Sequence, residues 1–346
     1  MAMQALIKLG VLEHADEIEA KYTDKGDTRL LVACREGNFQ HVQLLVQAKC
    51  DLSARNYGGA SAVFLATQNN HLDVLKYLLA AKADFNTPTK GQATPVFIAA
   101  QKGYVECLKL LIQVGADVNT AKVQTSPVLM SGTVGLSDQF RSLLTSGVTV
   151  NTAAVVEAGS IDTSIHSDTA PELGPPKGED AVTPVFIAAQ EGHADCIRVL
   201  AAAGAVLDRP TNGGVTAVTI AAGAGKHECI RELALAGANV NTVTFNGFTP
   251  LLLACHHGCE VTTRILIEAG CNLNTPSNEG LTPICLAAQL GKMGCVKELL
   301  RAGASTEIKF KGKSAKRLAA AGGHKALEAL LSDFKKGKIT RATIPP

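Results

Sequence analysis

The densest group of residues that could bind a metal is the run Cys255-His256-His257-Gly258-Cys259. Thiolate and imidazole are ligands that zinc prefers, so this run taken alone predicts a metal site. The chain holds ten cysteines, which allow three interpretations: disulfides, a metal site or core residues. The sequence contains no G-x-x-x-x-G-K-[ST] phosphate-binding loop. Choosing among these chemistries requires knowing which elements position the residues.

The stretch Thr183–Asp208 has the features of two short apolar helices. Thr183 can cap the first helix, Pro184 suits its first position, and Gly192 and Gly204 can end the two helices. The pattern recurs, mostly at 33-residue steps, and its capping residues number repeats 1 to 9: Thr28, Ser61, Thr94, Ser126, Thr183, Thr216, Thr249, Thr282 and Ser314. Because one helix pair cannot bury its own apolar faces, we predict that the copies stack on one another.

Three columns of this internal alignment predict the packing. Seventeen residues after every cap stands a leucine, as at Leu200, which predicts the buried face of the second helix. Five residues after the cap only Ala or Ser occurs, so the backbones must approach closely there. Nine residues after the cap the residue is Gly except at Asn70, which predicts a left-handed conformation that ends the first helix.

This pattern resembles the ankyrin repeat. Thr94-Pro95-Val96-Phe97-Ile98-Ala99-Ala100 is similar to the start of that repeat, and Gly115-Ala116-Asp117-Val118-Asn119 is similar to its end. The resemblance implies an all-α solenoid of about nine helix-turn-helix repeats with projecting β-hairpin or loop fingers. One position departs from the family, since its usual histidine is replaced by mostly apolar residues such as Phe97 and Leu252. We therefore expect apolar contacts in place of the hydrogen bonds of that histidine.

The repeat register predicts five segments. Residues 1–24, with Leu6, Leu9 and Leu12 three apart, form a helical N-terminal cap. Residues 25–151 hold repeats 1–4, and residues 152–181 are an inserted loop rich in Pro, Gly, Ser and acid. Residues 182–334 hold repeats 5–9 with a basic C-terminal cap, and residues 335–346 form a basic tail. Either one continuous solenoid or a hinge at the insertion fits this order.

The register also bears on the cysteines. Cys107, Cys196, Cys229 and Cys295 all lie thirteen residues after a cap, at the usual Val/Ile position of the second helix. Helices pack about 8–10 Å apart, whereas a disulfide needs Cα atoms within about 7 Å, so we predict reduced core cysteines. Cys255 should point inward and His256 outward, so their ligand atoms would not converge. We therefore predict no metal and no cofactor.

The candidate binding residues form two sets. A column seven residues after the cap should face the concave groove, and it includes Arg35, Gln68, Gln101, Gln190, His256 and Gln289. Aromatic residues four positions before a cap should stand at the loop tips, namely Tyr57, Phe245 and Phe310. Exposed aromatics are frequent anchors of protein interfaces. Each set also has a purely structural explanation. The column would be a solvated helix face, and the aromatic rings would pack on the neighbouring loop.

Composition leaves protein binding as the best-supported function. The formal net charge of +2 predicts neither nucleic-acid nor membrane binding, although residues 305–346 carry a net +7. No site for catalysis is apparent, so we predict a non-catalytic scaffold or adaptor that binds protein partners in the concave groove. The alternatives are a structural component of a cytoskeletal or ciliary assembly and an inhibitor that occludes a partner enzyme. We expect a monomer or an assembly subunit in the reducing cytoplasm, with the nucleus and cytoskeleton as alternatives.

Overall fold

The computed structural model describes residues 2–10, 19–21, 23–124 and 180–344. After a short N-terminal helix, the described chain alternates the two helices of each repeat. The elements are α1 Ala2–Lys8, α2 Arg29–Glu36, α3 Phe39–Gln47, α4 Ala62–Gln68, α5 Leu72–Ala80, α6 Pro95–Lys102, α7 Val105–Gln113, β1 Lys122–Gln124, β2 Asp180–Val182, α8 Pro184–Glu191, α9 Ala194–Ala202, α10 Ala217–Gly223, α11 His227–Leu235, α12 Pro250–His257, α13 Glu260–Glu268, α14 Pro283–Gln289, α15 Met293–Ala302, α16 Ala315–Ala321, α17 Lys325–Lys335 and a 3₁₀ helix Arg341–Thr343.

Most of the predicted caps form. The hydroxyl of Thr183 accepts a hydrogen bond from the Phe186 amide at 3.2 Å, and the caps of repeats 1, 2, 3, 6 and 7 do the same. This bond satisfies one of the amides that a helix start leaves unpaired. Thr282 and Ser314 take the same extended backbone conformation without the side-chain bond, so the prediction is wrong for those two hydroxyls. Ser126 lies outside the described residues.

The helix ends follow the predicted glycine column. Gly103 has φ of 73° and donates its amide to the carbonyl of Ala99, which ends α6. Asn70 takes φ of 60°, so the one exception in the column adopts the predicted left-handed conformation. The leucine column is buried in every described repeat, with Leu45 and Leu200 fully inaccessible. The core is therefore a row of small and branched aliphatic side chains between thin helices.

The described residues divide into two compact units. Of the described residues, the first unit comprises 2–10, 19–21, 23–123, 181–209 and 226–239, and the second comprises 124, 180, 210–225 and 240–344. In the first unit α2 packs on α4, α4 on α6, and α6 on α8. In the second unit α10 packs on α12, α12 on α14, and α14 on α16. Each unit thus buries its first helices against those of neighbouring repeats.

One step of the stacking differs from the prediction. Helix α6 of repeat 3 packs directly on α8 of repeat 5, and β1 pairs with β2 beside them. The helices begin with the same residues, T-P-V-F-I-A-A-Q, so α8 fits the surface on which a next repeat would pack. Repeat 5 thus packs on repeat 3 at the place where the register predicts a following repeat. Residues 125–179, including most of the predicted insertion, lie outside the described part.

A ladder of side-chain bonds joins consecutive repeats. In each of these repeats, the side chain of the Asn or Asp that lies 25 residues after the cap accepts a hydrogen bond. The donor is the backbone amide of the residue that lies 23 positions after the cap of the next packed repeat. Asn86 bonds the amide of Asp117 at 3.0 Å, and Asn119 bonds the amide of Val206 at 2.8 Å. Asp208, Asn241 and Asn274 make the same bond to the amides of Asn239, Asn272 and Ser305. The Asn119 bond again links repeat 3 to repeat 5.

Both ends of the described chain pack on second helices. Helix α1 contacts α3, and Leu9 lies beyond the helix and is half exposed. The side chain of Leu6 and all of Leu12 lie outside the described residues. At the other end, the 3₁₀ helix contacts α15, Ile344 is buried, and Arg301 donates a hydrogen bond to the Ile344 carbonyl at 3.4 Å. The tail is therefore folded back on repeat 8 as far as Ile344.

Candidate protein-binding surface

The loops between repeats form rigid fingers, which we number by the repeat that each one precedes. In finger 7 the Thr244 amide donates to the Phe248 carbonyl at 3.0 Å, and the Thr244 hydroxyl accepts from the Phe248 amide at 3.0 Å. Gly247 closes this turn with φ of 77°. Finger 2 has the corresponding bonds between Asn56 and Ala60. A closed turn fixes the backbone of each finger and leaves the tip residue to project.

Two of the three predicted tip aromatics project into solvent. Tyr57 is 58% exposed and Phe245 is 68% exposed. The Tyr57 amide donates to the Lys25 carbonyl at 2.9 Å, and the Phe245 amide donates to the Gly213 carbonyl at 3.2 Å. A Cβ built on Gly26 would lie 2.6 Å from the Tyr57 ring, so this ring rests on the glycine of the preceding loop. Each ring therefore packs on one side and remains available on the other.

Phe310 is not a tip residue, and its prediction as an exposed anchor is wrong. Its side chain is 9% exposed, and its amide pairs with the Lys313 carbonyl at 2.9 Å. Finger 9 is one residue shorter than finger 7, so Phe310 takes the inward position that Thr244 takes in finger 7. Counting forward by 33 from Phe245 reaches Asn278 and then Lys311, which stands at the tip of finger 9. Phe310 is four residues before its cap, like Phe245, but it is equivalent in structure to Thr244.

The column seven residues after the cap does not present one uniform row. Gln68 and Gln289 are exposed, and Gln101 is half-buried. Gln190 is only 5% exposed, so its side chain is not available as a contact residue in this structure. His256 is half-buried, and its ring meets the ring of His257 edge-on at 5.0 Å. Burial and then the charge of Lys292 lower the pKa of His256.

Arg35 in the same column is engaged inside its own unit. Its guanidinium forms an ion pair with the buried carboxylate of Asp27, which also accepts hydrogen bonds from Asn56 and Thr23. Burial acts to raise the pKa of Asp27, but the bonds from Arg35, Asn56 and Thr23 outweigh it, so the pKa lies below its usual value. Arg35 therefore holds the Asp27 carboxylate, which in turn binds Asn56 of finger 2.

The sequence analysis did not identify a set of hydrogen bonds that histidines make between repeats. Three histidines lie ten residues after a cap. The Nε2 atom of each donates a hydrogen bond to the backbone carbonyl of the residue seven positions after the cap of the repeat packed before it. His71 bonds Arg35 at 2.9 Å, His193 bonds Gln101 at 3.1 Å, and His324 bonds Gln289 at 3.2 Å. The tenth column of the alignment, with three histidines in it, carried this signal.

Apolar contacts replace the hydrogen bonds of the family histidine at some positions of that column but not at all of them. Leu31, Phe97 and Leu252 are buried apolar residues there, as expected. Thr219 instead bonds the Thr242 hydroxyl at 3.1 Å, and the Cys285 thiol bonds the Ile308 carbonyl at 3.6 Å. Polar residues in this column therefore anchor the finger that follows them.

The cysteines are core residues. All ten are free thiols, and only Cys259 is more than slightly accessible. Burial raises the pKa of Cys107 and of Cys196 to about 11, so neither is a reactive thiolate at neutral pH. In the described ranges no group of three or more Cys, His, Asp or Glu side chains is placed to hold a metal ion. Cys255 is fully buried, whereas His256 is partly accessible.

The fold and its fingers define a helical-repeat protein with a presented loop surface. A family model described as ankyrin repeats (3 copies) matches the chain in overlapping segments that together cover 2–154 and 164–341. The chain belongs to the ankyrin-repeat family, whose members are generally protein-interaction modules rather than enzymes. The match over 64–154 includes the fourth repeat motif.

Comparison with solved structures agrees on the fold. The ankyrin repeat domain of human ASB11, a crystal structure, is 19% identical to the chain, with a TM-score of 0.56. The similarity covers 81% of this chain and 99% of that domain. In all, 502 solved chains match, whereas no curated protein does. Among the described helices none has the length and apolar character to cross a membrane.

Proposed function

We propose that the protein is a non-catalytic scaffold or adaptor that binds protein partners through its fingers. One observation carries this proposal: Tyr57 and Phe245 are each more than half exposed although their backbones are fixed by hydrogen bonds to the preceding finger. Large rings that can be buried without ordering a loop give much contact area at low entropic cost. Each unit contributes one such ring.

The first-helix surface is proposed to extend the contact. Gln68 and Gln289 keep their amides in solvent and can donate to and accept from a partner backbone. Gln101 adds a partly accessible amide, whereas Gln190 and Arg35 serve the framework. The buried free thiols support a reducing compartment such as the cytoplasm.

The test compares Phe245→Ala with Leu235→Ala. Leu235 is 78% exposed on α11 and is not a finger residue, so it is a matched control for loss of exposed apolar surface. Proteins captured from a cell lysate by the full chain and by each variant are quantified by mass spectrometry. We expect partners to be lost with Phe245→Ala and kept with Leu235→Ala, with melting temperatures near wild type in both. Equal capture by Phe245→Ala and wild type would contradict the proposal.

A further inference from the structure

Two rows of residues run across the fingers of the second unit, and all of them are exposed except Asn212, which is half-buried. The first row stands 27 residues after the caps of repeats 5–8, at Pro210, Val243, Pro276 and Lys309, at intervals of 33. All four are exposed, and Val243 is 48% exposed. The second row lies two positions further along each finger, at Asn212, Phe245, Asn278 and Lys311. The two rows therefore present apolar and amide groups on fingers 6–8 and ammonium groups on finger 9.

Backbone and side-chain bonds hold these fingers in register. Asn241 accepts from the Asn272 amide at 2.7 Å, and Asn274 accepts from the Ser305 amide at 2.9 Å. Asn278 donates from its side chain to the Phe245 carbonyl at 2.7 Å. Because each finger is tied to the next, the two rows form one fixed surface, which we name the finger edge.

Charge along the finger edge is concentrated at one end. Residues 210–215 and 240–248 contain no charged side chain, and finger 8 contains only Glu279. Finger 9 carries Lys309, Lys311 and Lys313, all exposed. The Glu307 carboxylate in this finger is already bound by Lys335 at 3.1 Å, and Glu279 approaches Lys311 only at 3.8 Å. The finger 9 end therefore favours carboxylates on a bound partner.

The spacing of the rows selects a backbone conformation. Packed helices lie about 8–10 Å apart, so equivalent residues of successive fingers repeat at about that distance. A polyproline II segment advances about 3.1 Å per residue with three residues per turn, which brings every third side chain to one side at intervals of about 9 Å. A β-strand repeats its face every two residues, about 6.6 Å, and does not match. The finger edge thus fits a polyproline II segment.

We propose that the finger edge binds an extended polyproline II segment of a partner protein. One apolar side chain lies over Val243 and Phe245 of finger 7, and the apolar side chain three positions further along lies over Pro276 of finger 8. An Asp or Glu three positions beyond that lies over Lys309 and Lys311 of finger 9. This inference rests on the proposed protein-binding function and names the chemistry of the partner. The apolar row favours a peptide over a nucleic acid, whose phosphates would be served by the lysines alone.

The experiment selects random 16-residue peptides displayed on phage against the full chain. Parallel selections use Val243→Ser/Pro276→Ser, Lys309→Glu/Lys311→Glu and the control Leu235→Ser, after thermal melting has shown that all are folded. We expect peptides enriched on wild type and control to carry apolar residues at every third position, followed by Asp or Glu. Enrichment of those peptides should fall at least tenfold on both double variants. On the charge-reversed variant the acidic end should change to Lys or Arg.

Three outcomes would overturn the inference: enriched peptides without the three-residue spacing, equal enrichment on Val243→Ser/Pro276→Ser, or displacement of the peptides by a single-stranded oligonucleotide at equal concentration. If the wild-type chain enriches peptides no more than the double variants do, the result counts as the second outcome. None of these variants changes Phe245. If Phe245→Ala loses protein partners while the selection fails, the proposed function stands and only the finger-edge chemistry is wrong.

Discussion

The Nε2 atom of His193 donates a hydrogen bond to the carbonyl oxygen of Gln101 at 3.1 Å, although the two residues lie 92 positions apart. His71 makes the same bond to Arg35 across only 36 positions. Repeat 5 therefore occupies the place on repeat 3 that the next repeat in sequence would take. The hydrogen bonds of the framework therefore continue from repeat 3 to repeat 5.

The Asn119 bond offers a direct test of that junction. Asn119→Ala removes the acceptor for the Val206 amide, and Asn86→Ala removes the equivalent acceptor between repeats 2 and 3. We expect each substitution to lower the free energy of unfolding by about 1 kcal/mol, because each loses one hydrogen bond of similar geometry. Urea unfolding monitored by circular dichroism measures both. A cost for Asn86→Ala with none for Asn119→Ala would contradict direct packing of repeat 5 on repeat 3.

Deletion of residues 126–178 tests the same junction on a larger scale. Since β1 and β2 are hydrogen-bonded neighbours, we expect that a two-residue Asn-Gly turn can join the ends left by the deletion. We expect the shortened chain to keep its helical circular dichroism and to melt cooperatively within a few degrees of the full chain. Loss of cooperative melting would show that repeats 1–3 and 5 depend on the deleted residues.

The ninth-column glycines serve close packing as well as helix ending. A Cβ built on Gly103 would lie 2.6 Å from Nδ1 of His193, whereas one built on Gly204 meets nothing within 4 Å. Both glycines have a left-handed backbone, with φ of 73° and 79°. We expect Gly204→Ala to cost about 1 kcal/mol from backbone strain alone and Gly103→Ala to cost roughly 3 kcal/mol from strain and steric overlap. Equal costs in urea unfolding would contradict the role of the His193 contact.

Stability should depend on pH through His257. Burial, then His256 and Lys292, lowers the pKa of His257 to about 4. In the unfolded chain a histidine has a pKa of about 6.5, so the folded protein binds fewer protons between these values. The free energy of unfolding should therefore fall as the pH drops from about 6.5 to 4, by on the order of 2 kcal/mol.

The variant His257→Gln should remove most of that pH dependence while remaining folded at neutral pH. His227→Gln, on the exposed surface of α11, is the control for replacing a histidine. Urea unfolding at pH 7 and pH 4.5 gives the two free energies for each protein. An unchanged difference between the two pH values in His257→Gln would show that other groups carry the effect.

The sequence was sufficient to predict the framework because each framework column has one physical requirement. A buried position between helices accepts leucine, and a left-handed turn accepts glycine or asparagine, so Leu200 and Asn70 behave as predicted. The first helix also begins at Pro184 as predicted, and the two helices end at Glu191 and Ala202, within two residues of Gly192 and Gly204. These requirements are local or repeat every 33 residues, which periodicity alone can detect.

The finger residues were harder because their environment depends on loop length and on the neighbouring repeat. One missing residue moves Phe310 from the tip to the buried base of finger 9, although its distance from the cap suggested otherwise. Gln190 shares a column with exposed Gln68 but is buried. The direct packing of repeat 5 on repeat 3 could be suspected only from the identical starts of their first helices, since register alone places repeat 4 between them.

The central claim is that framework residues determine stability while finger residues determine binding. It is tested by measuring, for Phe245→Ala and Gly103→Ala, both the free energy of unfolding and the affinity for one partner recovered with the wild-type chain. We expect Phe245→Ala to weaken binding at least tenfold with stability within about 0.5 kcal/mol of wild type, since surface substitutions rarely cost more. Gly103→Ala should lose stability and, while folded, keep its affinity. Unchanged affinity in Phe245→Ala, together with a loss of stability as large as that of Gly103→Ala, would contradict it.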